Sequence, residues 1–216
     1  MQVVAVPVKY LEGTKARLSG VLSPMERAAL TLAMLEDVLD ACLAQVAWEV
    51  WVVSSDEVVL EIAARRGARP VSEMGRSLLE AVRQLEADVI GRSAALAVLL
   101  GDLPTLTAAE LTDALARGGP VVASPAGSDG GTNLLVRRPA SAIPARFGRA
   151  SFAKHRWAAR RAGIPFESVL LPGLSFDLDR PDDLARVLAA GRPSRTLTAC
   201  LEMGLPGRLR MRAGEG

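Results

Sequence analysis

A chain of 216 residues, half of them hydrophobic, holds enough apolar material for one sizeable core, and no linker divides it, so one globular domain is expected. A net charge of +2 excludes a broadly basic nucleic-acid-binding surface. No apolar stretch reaches membrane-spanning length, and Cys42 and Cys200 have neither zinc-ligand spacing nor a disulfide framework. Neither nucleic acid nor membrane is expected as a partner. The first apolar run carries no cleavage-type site, so a cytoplasmic protein is expected. Cations are almost all arginine, leaving Lys9, Lys15 and Lys154 as the lysines.

Val3 to Val8 reads as a first buried strand. The loop after it carries Lys9, Lys15 and Arg17 around Gly13. It matches neither a Walker A nor a dinucleotide-binding glycine pattern, yet a cationic loop behind a first strand suits phosphates as well as solvent. Ser23-Pro24-Met25-Glu26 has helix-start chemistry, and the apolar spacing predicts a helix to about Ala44. Val50 to Asp56 is a second strand, Glu57 to Arg66 a helix stopped by Gly67, and Ala68 to Val71 a short strand placed at an edge by Pro70. Ser77 to Leu85 reads as a further helix.

Ala95 to Leu100 is an unbroken apolar run, the signature of a central strand buried on both faces. It stops at Gly101-Asp102-Leu103-Pro104. Asp102 is then a carboxylate at the carboxyl end of a central strand, where open α/β sheets place ligands, or else an ordinary turn residue. Thr107 opens a capped helix to about Arg117, and Pro120 to Pro125 is a fifth strand. The glycine-rich loop 126–133 follows, and Leu134 to Val136 resumes a strand. Ser151, as an N-cap, opens a helix to about Ala162, with Arg149 beside a start that suits an anion or a plain cap equally. His155, the sole histidine, sits in that helix between cations and reads as a surface or structural residue. Without a second histidine, serine-hydrolase and zinc-hydrolase schemes have little support.

Asp177 and Asp179 lie two apart, on one face of an extended segment, where a hard divalent cation would relieve their repulsion. With or without such a cation, Asp179 or Asp182 is expected to cap a helix over 183–188. Beyond Gly191 the periodicity weakens, leaving 191–216 as an extension or tail in which Leu197 to Met203 forms a short helix. Strands alternating with helices predict a mostly parallel α/β sheet covered on both faces.

The ordered set Val6-Pro7-Val8-Lys9, Lys15-Ala16-Arg17-Leu18, Gly101-Asp102-Leu103-Pro104, Gly130-Gly131-Thr132-Asn133, Phe147-Gly148…Ser151-Phe152…His155 and Asp177-Leu178-Asp179…Pro181 resembles the CofC/FbiD guanylyltransferases of coenzyme F(420) biosynthesis over residues 1 to about 190. The resemblance implies a nucleotidyltransferase (glycosyltransferase-A-like) three-layer α/β/α fold with a mixed sheet. It also implies transfer of GMP from GTP to the phosphate of a small phosphorylated carboxylic acid: phosphoenolpyruvate, 2-phospho-L-lactate or 3-phosphoglycerate. Carried over, Asp102, Asp177 and Asp179 would hold Mg²⁺, with Asp102 and Lys15 catalytic. Thr132, Gly148 and Ser151 would hold the acceptor, while Lys9, Lys15 and Arg17 would lie along the nucleotide phosphates.

The implied chemistry suits the residues: an acceptor phosphate is already an anionic nucleophile, so charge neutralisation and in-line alignment are what the reaction needs. Where the family commonly reads Leu-Asn-Ala-Ala, this chain has Leu78-Leu79-Glu80-Ala81, so no residue here accounts for guanine selectivity. A sugar-phosphate or molybdopterin-type nucleotidyltransferase is the alternative enzyme, disfavoured because the glycine-rich opening loop of those families is absent. An inactive nucleotide-binding regulatory protein is the alternative of another class. The acceptor acid and the assembly state, a homodimer included, are left open by the residues.

Overall fold

Alternate residues of the central strand face two different cores, and this places the strand in the middle of three layers. In a computed structural model describing residues 1–73, 78–89, 95–127 and 129–213, β4 (Ala95–Leu99) is buried at every position. Ala97 and Leu99 join one cluster of buried side chains and Leu96 and Val98 the other. The flanking strands are β1 (Gln2–Pro7), β2 (Glu49–Ser54) and β3 (Arg69–Ser72) on one side, with β5 (Val121–Pro125), β6 (Thr132–Arg137) and β7 (Phe166–Ser168) on the other. The sheet order is β3-β2-β1-β4-β6-β5-β7, with β6 antiparallel to β4 and β5 and every other pairing parallel. The mixed, mostly parallel sheet expected from the sequence is present, and Pro70 does lie on an edge strand.

Helices α1 (Pro24–Leu43), α2 (Glu57–Arg66) and α4 (Ala108–Ala116) cover one face, and α3 (Leu78–Val89) and α5 (Ser151–Arg161) the other. Their starts follow local chemistry. Ser23 and Thr107 each form a reciprocal capping box, with Glu26 and Glu110 respectively. Asp56 caps α2, and Gly67 ends it in the left-handed conformation at φ 87°. Ser77, expected to begin the third helix, lies outside the described residues.

After β7, Pro172–Ser175 forms a turn of helix, α6. Two departures from the sequence reading concern the carboxyl-terminal part. Helix α7 (Pro181–Ala190) is entered through Arg180, and its cap carboxylate is Asp183, which accepts from the backbone of Asp179 at 3.0 Å and of Arg180 at 2.8 Å. Neither Asp179 nor Asp182 is the cap, because Pro181 at the first helical position moves the start upstream.

Residues beyond Gly191 form α8 (Arg195–Glu202) and α9 (Leu205–Ala213). Asp37 on α1 accepts from the backbone N–H of both Arg195 and Thr196 at 2.9 Å, and from the Thr196 hydroxyl at 2.6 Å. Cys200 and Leu205 join Leu18, Leu30, Met34 and Leu184 in a third apolar cluster. Thr196 and Cys200, both fully buried, carry the packed face of α8 without a large apolar side chain.

Candidate active site

The carboxyl ends of β1 and β4 open into a cleft of about 500 Å³, walled by the loop after β1. That loop is held from beneath. The Leu11 N–H donates to Asp56 Oδ2 at 3.1 Å, so the carboxylate that caps α2 also pins the loop. The buried guanidinium of Arg27 donates to the carbonyls of Thr14 and Leu22, each at 3.0 Å. Between these anchors Lys15 takes the left-handed conformation (φ 48°), uncommon for a residue with a side chain, and a short 3₁₀ turn over Ala16–Leu18 follows.

The Lys15 side chain, 7% exposed, reaches across the cleft. Its Nζ donates to Asp102 Oδ2 at 2.6 Å and to Asp179 Oδ1 at 2.8 Å. Burial works against its charge, but the two carboxylates outweigh that, and its pKa stands above the usual lysine value. Burial likewise opposes ionisation of Asp179, but Lys15, then Arg17 and Arg180, hold its pKa below the usual carboxylate range. Arg17, 60% exposed, adds an outer ion pair to Asp179 at 3.2 Å. The strand-end placement of Asp102 is tight: a Cβ on Gly101 would stand 3.3 Å from Val8 Cγ2. The Leu178 N–H donates to the Asp102 carbonyl at 3.1 Å, which brings the 177–179 segment alongside.

Two carboxylates converging on one ammonium form a cation site, and Asp102 Oδ1 is buried there without a hydrogen-bond partner. An unused carboxylate oxygen beside a second carboxylate is the donor chemistry of a hard divalent cation, so these residues fit one. Asp177 stands apart from the cleft lining, 8% exposed, with its Oδ1 3.5 Å from Asn133 Nδ2. Among the described residues no group of three or more His, Cys, Asp or Glu side chains forms a metal-ligand cluster.

A second constellation is neutral and buried. Ser151 is not the cap of α5, for Ala150 takes that position, with φ 54° and no side-chain cap. Instead the Ser151 hydroxyl donates to Thr132 Oγ1 at 2.9 Å, at the start of β6. His155 Nδ1 lies 3.1 Å from the same oxygen, and its Nε2 accepts from the Arg146 backbone N–H at 2.8 Å. Ser151 and His155 are fully buried and Thr132 nearly so, which removes His155 from the surface. Gly148, at φ 111°, occupies a conformation suited to glycine and has open space where a Cβ would stand. The Ser151 N–H donates to the Gly148 carbonyl at 3.0 Å.

The structure thus joins Lys15, Arg17, Asp102 and Asp179 in one cluster, and Thr132, Gly148 and Ser151 in another. Lys9 is exposed on the cleft wall. Sequence reasoning did not single out Asp129. This residue of the glycine-rich loop lines the cleft while its Oδ1 accepts from the Gly131 N–H at 2.7 Å. Its Asp-Gly-Gly setting was the available signal. The role of Lys15 as counter-ion to two distant aspartates had no sequence signal.

Residues 1–205 match the family model described as guanylyl transferase CofC like. A phosphoenolpyruvate guanylyltransferase of Rubrobacter xylanophilus is 41% identical over 198 residues, covering 88% of this chain and 97% of the relative. A 3-phospho-D-glycerate guanylyltransferase of Phenylobacterium zucineum is 39% identical, with 81% of this chain and 84% of the relative covered. Among solved structures, one from Desulfovibrio desulfuricans G20, assigned to the nucleotide-diphospho-sugar transferases, superposes with a TM-score of 0.80 over 98% of both chains. At 19% identity, that likeness bears on the fold alone.

Proposed function

The chain belongs to the CofC-like guanylyl transferase family, and on that premise we propose that it moves GMP from GTP onto the phosphate of a small phosphorylated carboxylic acid, phosphoenolpyruvate first among the candidates. An acceptor phosphate oxygen forms a new bond to the α-phosphorus of GTP. The bond from that phosphorus to the α–β bridging oxygen breaks, and pyrophosphate leaves. The nucleophile arrives as an anion, so no side chain has to take its proton. What opposes the reaction is repulsion between two polyanions, and that is an electrostatic and positioning problem.

The observation that carries this reading is the convergence of Asp102 and Asp179 on the Lys15 ammonium at the floor of the cleft, with Asp102 Oδ1 unpartnered. Lys9, Lys15 and Arg17 would lie along the triphosphate. Asp102 and Asp179, with Asp177 behind them, would hold Mg²⁺. When bound, the ion supplies Lewis-acid neutralisation of the phosphate oxygens. Thr132, Gly148 and Ser151 would seat the acceptor from the other side, with Thr132 as a neutral hydroxyl donor that does not compete for the cation.

Relatives of nearly equal identity bear names with different acceptors, so overall similarity does not choose the acid. Pocket shape does. The test is incubation with GTP, Mg²⁺ and, separately, phosphoenolpyruvate, 2-phospho-L-lactate and 3-phosphoglycerate, following pyrophosphate and the product mass. Release with one acid supports the reading and names the acceptor. Silence with all three, despite GTP binding, overturns it in favour of a binding protein. A GTP-dependent product in coenzyme F(420)-producing extract would support that pathway.

A further inference from the structure

His155 does not face the cleft, yet its ring reaches the hydroxyl read above as an acceptor ligand, and the protons can be counted. Its Nε2 sits 2.8 Å from the Arg146 backbone N–H, which can only donate. Nε2 therefore carries the lone pair, and in the neutral ring the proton is on Nδ1. That N–H points at Thr132 Oγ1, 3.1 Å away, and the Ser151 hydroxyl donates to the same oxygen at 2.9 Å. Both lone pairs of the Thr132 hydroxyl are then occupied, and its own proton has to point elsewhere.

We propose that His155 is a positioning residue: as the Nδ1–H tautomer it holds the Thr132 hydroxyl with its proton turned outward, as a donor to the acceptor acid. This inference rests on the reading of Thr132 as an acceptor ligand. The charge balance of the pocket keeps the ring neutral. Burial first, then Arg137 on β6, Arg146 on the preceding segment and Lys154 on α5, pull the His155 pKa down to about 4. Phe147 packs edge-on against the ring at 5.3 Å and fixes its plane. A protonated ring would lose the bond from Arg146, and the opposite tautomer would leave Thr132 donating inward. A motif residue that touches no ligand thereby decides the polarity of one that does.

Because His155 is the sole histidine, a two-bond ¹H–¹⁵N correlation spectrum of labelled protein shows a single ring system. The expected result at pH 7 is the Nδ1–H tautomer, with an Nδ1 shift on adding phosphoenolpyruvate and none on adding GTP alone. An Nε2–H tautomer overturns the proposal. In kinetics, His155→Phe fills the space without a donor, whereas His155→Asn sets an amide N–H near the position of Nδ1. The KM for phosphoenolpyruvate should rise about tenfold in the Phe variant and return to within about threefold in the Asn variant. The KM for GTP should hold within about twofold in both.

A parallel rise in both KM values, or a wild-type Phe variant, overturns the proposal. Thr132→Val separates the two layers of the argument. If it leaves the phosphoenolpyruvate KM unchanged, the acceptor assignment falls and the His155 role with it. If it raises that KM while His155→Phe does not, the positioning role alone falls. Should His155→Phe fail to fold, the wild-type tautomer and the Asn variant still decide.

Discussion

The two constellations beside the carboxyl end of β4 solve opposite problems. Around Lys15 the groups are charged, partly open to solvent, and drawn from three distant stretches of chain: Lys15, Asp102 and Asp179. Around Thr132 they are neutral, buried and linked by hydrogen bonds alone, through Ser151 and His155. A charged cluster near solvent can exchange its partners, so its ammonium and carboxylates are available to an incoming polyanion and its cation. A buried neutral chain cannot exchange partners cheaply, so it fixes direction. The contrast teaches that a site joining two anions needs adaptable charge at one end and rigid geometry at the other.

The largest effect should come from breaking the charged end. Asp102→Asn keeps the shape and removes the charge opposite Lys15, and kcat should fall by about 10²- to 10³-fold. Pyrophosphate release checks this, with circular dichroism to show that the fold is intact. Activity at the wild-type level would remove Asp102 from the cation site.

The neutral end should instead announce itself in acid. A histidine whose folded pKa is depressed to about 4 from 6.5 contributes stability that is fully present above pH 6.5 and lost as pH falls toward 4. The linkage is worth about 3 kcal/mol across that window. Urea unfolding of wild type and His155→Asn at pH 7 and pH 4.5 should show the wild type losing more stability than the variant. Equal losses would mean that the ring is not held neutral.

The smallest effect belongs to the rim. Arg17 pairs with Asp179 at 3.2 Å but is 60% exposed, so Arg17→Ala should cost no more than about 1 kcal/mol of stability. It should nevertheless raise the KM for GTP several-fold, and more at low salt than at high, as exposed charges do. An unchanged KM would place the triphosphate elsewhere along the cleft.

Much of the fold was legible because the signals are local. The unbroken apolar run 95–100, the capping residues Ser23 and Thr107, and the stop at Gly67 each act within a few residues. The cap of α7 was misread because three aspartates cluster near Pro181, and only the chain path shows which of them turns back. The packing of α8 was illegible for another reason: its fully buried positions are Thr196, tied to Asp37, and Cys200, and neither is a large apolar side chain.

The sequence by itself determined the alternation of strands and helices, the strand-end position of Asp102 and the ordered motifs that identify the family. Those depend on side-chain chemistry within a window of a few residues. Only the tertiary structure decided that Lys15 would stand between Asp102 and Asp179, 87 and 164 residues away along the chain. It also decided that Asp177 would be buried beside Asn133, and that His155 would be buried against Thr132. The physical reason is shared by all three. Charge balance and the polarity of a hydrogen bond are properties of the groups that packing brings together, and separation along the chain carries no record of them.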